Sequence, residues 1–170
     1  MSEQVRPIYA RAFFSFSSTG NVDEYLVFYY YDPEAYYAGL DAEGIRKEEE
    51  TVKENLQSFL DEERIVINGQ TVRARVLFAR IGLLTVNYPF IEFLINFRGR
   101  VSAGVNTYEN EYEEETAEYP YEAVWVFPGE VVDYQLAGKV EVQGNALFLR
   151  VTPGTKTGGR EWIKFKLGKS

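Results

Sequence analysis

The chain has 170 residues, 45% hydrophobic and 26% charged, which is the balance of one globular domain with material for a single core. It contains no Cys and no His, so disulfides, thiolate nucleophiles, zinc–sulfur sites and a Ser-His-Asp triad are excluded within it, and any catalysis must rest on carboxylates, Lys, Tyr or an oxygen-held hard cation. The net charge of -8 disfavours nucleic acid and anionic membrane surfaces as partners.

No apolar run approaches the ~18 residues of a membrane helix. The N-terminus lacks the charged-then-apolar pattern of a secretory signal, so a cytoplasmic location is expected. The absence of Cys, the single Met and the 21 Glu point to a thermophilic source, against which the eight Asn count mildly.

In chain order, Ile8–Ser17 is rich in β-formers and aromatics. A polar turn, Ser17-Ser18-Thr19-Gly20-Asn21, joins it to a second β-run, Tyr25–Tyr31, predicting a hairpin. Asp32-Pro33-Glu34 then reads as a helix start, with a first helical piece ending near Gly39. Asp41 is placed to cap a longer helix over about 41–62. Its apolar stripe is Ile45, Val52, Leu56, Phe59 and Leu60, with Glu49 in the gap.

After the helix the pattern has period two. Arg64–Ile67 and Thr71–Phe78 flank Asn68-Gly69, the residue pair that a type I′ hairpin turn favours. Further strands are expected at Phe90–Phe97, Val101–Tyr112, Tyr121–Phe127, Val131–Leu136, Lys139–Val142, Ala146–Thr152 and Glu161–Leu167. Gly144-Asn145 and Pro153–Gly159 read as turns, and Gly138 as a bulge or a turn.

The expected fold is therefore α+β, a single domain over 1–170. It is one long antiparallel meander, curled or closed into a barrel-like sheet, with the helix packed on or capping it. The order of elements resembles that of calycin-type barrels and helix-grip folds. It shares no motif with them and lacks the long C-terminal helix of the latter.

Three groups of residues point to chemistry. Tyr29, Tyr31, Tyr36 and Tyr37 bracket the strand-to-helix junction, where tyrosines suit the mouth of a binding pocket. Arg73 and Arg75 are expected on one strand face, and Glu92, Arg98 and Arg100 on another. Together such guanidiniums would hold a carboxylate or phosphate bidentately, or pair with acidic strands. Glu109, Glu111 and Glu113 line one face of an acidic strand that reads as ladder partner, cation site or acid/base pair. Glu49 interrupts the helix's apolar stripe, where a carboxylate could face a cavity.

No cofactor or metal is implied. The leading reading is a non-enzymatic module with an aromatic-lined cavity for a small apolar or amphipathic ligand. The alternatives are a homo-oligomeric assembly protein and a carboxylate- or cation-dependent hydrolase.

Overall fold

The computed structural model describes residues Gln4–Gly168. Twelve strands and one helix follow in chain order: β1 (Arg6–Phe16), β2 (Asn21–Tyr31), α1 (Ala42–Glu62), β3 (Arg64–Ile67), β4 (Gln70–Val72), β5 (Arg75–Thr85), β6 (Tyr88–Arg98), β7 (Gly104–Thr116), β8 (Tyr121–Val126), β9 (Glu130–Gln135), β10 (Lys139–Gln143), β11 (Ala146–Val151) and β12 (Lys156–Leu167). Among the described residues no helix is long and apolar enough to cross a membrane.

The protein is mostly β with one helix, as the sequence implies, but it is not one meander and no sheet closes. The strands form a seven-stranded sheet ordered β10-β11-β8-β1-β2-β6-β5 and a five-stranded sheet ordered β4-β3-β7-β12-β9. Every pairing is antiparallel except β1 with β8, which runs parallel from Ala10 opposite Tyr121 to Ser15 opposite Val126. Period-two patterning assigns a face to each residue and leaves the neighbouring strand unspecified. The chain repeatedly leaves one sheet for the other, and each crossing looks like an ordinary turn in the sequence. Gly138 lies at one such crossing, between β9 and β10, with φ 122.

The inner faces meet in an aromatic core. Phe16 of β1 touches Phe127 at 4.6 Å, Tyr108 at 5.2 Å and Phe165 at 5.9 Å between ring centroids. Alternation along β1 explains the fit: Ala10, Ala12, Phe14 and Phe16 are buried, while Arg11, Phe13 and Ser15 are exposed.

Three local expectations are corrected. Asp32-Pro33-Glu34 opens a series of turns and no helix, because Ala35 takes φ 51 and the Asp32 carboxylate accepts from the Tyr37 N–H at 3.0 Å, closing a loop. The strand expected over Thr71–Phe78 breaks at Arg73-Ala74, where the chain passes from β4 in one sheet to β5 in the other. The turn expected over Pro153–Gly159 is half strand: β12 begins at Lys156 and bulges between Thr157 and Gly159. Gly158 in that bulge has φ 102, and an added Cβ would lie 2.5 Å from the Glu113 carbonyl oxygen.

Other local signals hold. Asp41 caps α1 by accepting from the Gly44 N–H at 2.7 Å. Asn68 and Gly69 both take positive φ, 48 and 79. The helix lies along the free edge of β5. There the Gln57 amide oxygen accepts from the Val76 N–H at 2.8 Å, and the Glu49 carboxylate from the Ile81 N–H at 2.9 Å. Side chains of the helix thus occupy two amides of an 11-residue edge strand that would otherwise offer them to another chain.

Candidate functional site

The aromatic core fills one end of the space between the sheets and leaves the other open. The change occurs within single strands. On β1 the inward positions run Phe16, Phe14, Ala12, Ala10, and on β8 Ala123 replaces a large residue beside Trp125. Where the methyl groups stand, the facing sheets are not bridged. The result is a cleft with two overlapping lobes of about 300 Å³ and about 450 Å³. That is the size range of small-molecule sites.

Aromatic rings wall the cleft: Phe14, Phe28 and Phe59, with Tyr108, Tyr112, Tyr119, Tyr121 and Trp125. Phe59 comes from the last turns of α1 and is 51% exposed at the mouth. Trp125 stacks on Phe14 at 5.0 Å with the ring planes 9° apart.

Carboxylates stand among these rings. On β2 the inward phase is Val22, Glu24, Leu26, Phe28, so strand geometry alone turns Glu24 inward. Glu161 shares the inward phase of β12 with Ile163 and Phe165. Glu63 is the C-terminal cap residue of α1. Burial among apolar walls pushes the Glu24 carboxyl up to about 8, and the charge of Glu63 adds to the rise. Burial also lifts Glu63 to about 7, against the hydrogen bond from the Asn110 side chain. Glu161 is raised by burial too, although the Tyr112 hydroxyl and the Gly158 N–H donate to it.

Tyr108 sits at the centre. Its ring is buried against Phe97 and Phe16, and burial raises its hydroxyl well above the usual range, helped by the charges of Glu24, Glu63 and Glu161. Two polar atoms nearby lack partners. Asn110 donates to Glu63 and leaves its Oδ1 unused, and the indole N–H of Trp125, a residue only 6% exposed, approaches the Tyr108 hydroxyl without a well-formed hydrogen bond.

The residues singled out in the sequence lie elsewhere, and none of the ten lines this cleft. Tyr29 stacks on Tyr9 at 5.7 Å, and Tyr31 packs on Tyr88 at 5.5 Å beneath the Arg6 guanidinium. Tyr36 and Tyr37 meet edge to face and reach Glu48 on the helix at 3.5 and 3.2 Å. Glu49 serves the β5 edge as described. Arg73 pairs with Asp61 at 3.3 Å. Arg75, Arg98 and Arg100 are exposed. Glu92 is 6% exposed and is held by Arg80 and the Tyr25 hydroxyl on the outer face of the larger sheet. Glu109 pairs with Arg160 at 2.6 Å on the outer face of the smaller sheet, while Glu111 and Glu113 are exposed.

The cleft residues had a signal in the sequence. Glu24 breaks an inward phase of Val22, Leu26 and Phe28, and Ala10, Ala12 and Ala123 place small residues where the rest of their strands carry Phe and Trp.

No protein-family model and no curated protein matches the sequence. Among solved structures the chain is similar to native yeast LTA4 hydrolase, with a TM-score of 0.38 and 8% identity over 96% of this chain. The chain spans 29% of that structure's length, and a likeness this distant bears on neither fold family nor activity.

Proposed function

We propose that the protein is a binding module whose inter-sheet cleft takes a small amphipathic ligand. The observation that carries the reading is the cleft itself. Alanines keep open a space of about 300 Å³ that rings would otherwise fill, and its walls are mostly aromatic. Unsatisfied polar atoms deep in such a space favour an occupant with both a donor and an acceptor: Asn110 Oδ1 needs a donor and the Trp125 N–H needs an acceptor.

The test is a titration with Nile red, a neutral apolar dye that fluoresces when it leaves water. Wild-type protein should bind it saturably. Ala12→Leu and Ala123→Leu, which grow side chains into the space, should abolish binding while far-ultraviolet circular dichroism is unchanged. Failure of the wild type to bind, or binding untouched by filling, would refute the reading.

A second reading, self-association, is favoured by a separate observation. Leu83, Leu84, Val86 and Tyr88 are 45%, 62%, 58% and 42% exposed around the β5–β6 turn. Light scattering of the purified chain tests it, and a monomer at high concentration would remove it.

A further inference from the structure

We infer that the ligand of this cleft is an organic cation, an ammonium group on an apolar body. The inference rests on the binding reading above and adds the sign of the charge. Glu24, Glu63 and Glu161 reach the cleft from three different elements and all act on the Tyr108 hydroxyl. Among the described residues none of the three forms an ion pair. Among the described residues the one basic side chain on the cleft wall, Arg11, is committed to Glu122 at 3.6 Å. The cleft therefore gathers three carboxyls that no basic residue of the protein pairs, and a bound cation would hold them in their ionised form.

The walls suit the same occupant. Ring faces attract cations through their quadrupole, most strongly where water is excluded. Phe14, Phe28, Phe59 and Tyr112 offer such surfaces beside the carboxylates. An inorganic cation fits less well, because among the described residues no three acidic side chains converge as metal ligands do. A diffuse charge on an apolar body can meet carboxylates that stand apart and stack between them. The two unpartnered polar atoms then find uses. The unused Asn110 Oδ1 accepts from an N–H of a protonated amine, and the Trp125 N–H, in a side chain 6% exposed, donates to an oxygen on the ligand's body.

The experiment displaces bound Nile red with three chains of equal length: hexylammonium, hexanol and hexanoate. The expected result is displacement by the ammonium ion at about one-tenth the concentration needed for hexanol, with hexanoate weakest. In Glu24→Gln combined with Glu63→Gln, the ammonium ion should lose this advantage while hexanol is unchanged. Glu161→Gln serves as the second variant if the double variant does not fold. If Nile red binds but the ammonium ion and hexanol compete equally, the cation inference is overturned and the cleft reading stands. If Nile red does not bind wild-type protein, the cleft reading fails and this inference with it.

Discussion

Replacing Glu24 by Gln should stabilise the protein above neutral pH and not below pH 5. In the folded chain the Glu24 carboxyl titrates near 8, against 4.5 for an unburied glutamate. Below about pH 4.5 the group is protonated in both folded and unfolded states, and it has no differential effect. As pH rises from about 4.5 to about 8, the unfolded chain ionises first, so the folded state loses stability through that window. A shift of this size corresponds to at most about 5 kcal/mol. The cleft is open to water and Glu63 relaxes with Glu24, so roughly half of that, about 2–3 kcal/mol, is the expected gain on removing the charge. For a domain of this length the gain equals a rise in Tm of roughly 5–10 °C at pH 8. The assay is calorimetric melting of wild type and Glu24→Gln from pH 4 to pH 9. Glu113→Gln, at an exposed site, controls for the change in net charge. The diagnostic quantity is the difference between variant and wild type, since general repulsion in a chain of net charge -8 also varies with pH. A difference that does not grow with pH, or a variant less stable than wild type at pH 8, would refute the reasoning.

Asp41→Ala removes the cap on α1 and should cost about 1 kcal/mol, read as a drop in Tm of roughly 2–4 °C. Glu49→Ala strips the acceptor from the Ile81 N–H on the β5 edge. It should cost about 1 kcal/mol and also raise the tendency to associate, visible by light scattering where Asp41→Ala shows none. Gly158→Ala forces an L side chain into φ 102 and against the Glu113 carbonyl, so about 2 kcal/mol or more should be lost in urea melts. Ala12→Leu should leave stability within about 1 kcal/mol, because it fills space without displacing a neighbour, in contrast to the same change inside the packed half of the core.

The parts of the fold legible in the sequence are those fixed by near neighbours along the chain. Asp41 with Gly44 and the stripe from Ile45 to Leu60 specify α1 within a few residues. Asn68-Gly69 specifies a hairpin because both residues accept positive φ. The partition into two sheets is not local. Nothing in Val72-Arg73-Ala74-Arg75 announces that the strand ends and changes sheet, and nothing in Tyr121–Val126 tells that it lies parallel to β1. The site followed the same rule. Tyr29, Tyr31, Tyr36 and Tyr37 cluster in sequence, yet alternation and the turns after Asp32 separate them: Tyr29 and Tyr31 stay half-buried on β2, while Tyr37 is buried and reaches Glu48 on the helix. Glu24, Glu63, Asn110, Trp125 and Glu161 lie far apart in the chain and meet only through the packing of sheet on sheet. Glu49, the one carboxylate on the helix's apolar stripe, turns to the β5 edge.

The two halves of the sandwich answer to opposite physical demands. Around Phe16, Phe97, Phe127 and Phe165 the sheets are joined by ring contacts of 4.6 to 6.3 Å, and that half supplies the burial that holds the molecule together. Beyond Phe14 the same strands carry alanines and glutamates, each of which lowers stability: a methyl where a ring would bury more, and carboxyls whose charged form the surroundings penalise. Neither device is explained by folding. A filled core with Gln or Leu at position 24 would be more stable with the same topology. Sequences depart from local consistency in this way where a site must keep space and charge for something else. The helix end completes the arrangement, because Phe59 and Glu63 follow the part of α1 that seals the β5 edge and bring a ring and a carboxylate to the mouth. The same helix therefore protects the sheet with Glu49 and Gln57 and furnishes the cleft with its last residues. A change that shortened α1 from Ser58 onward should empty the cleft of its outer wall before it unfolded the sandwich.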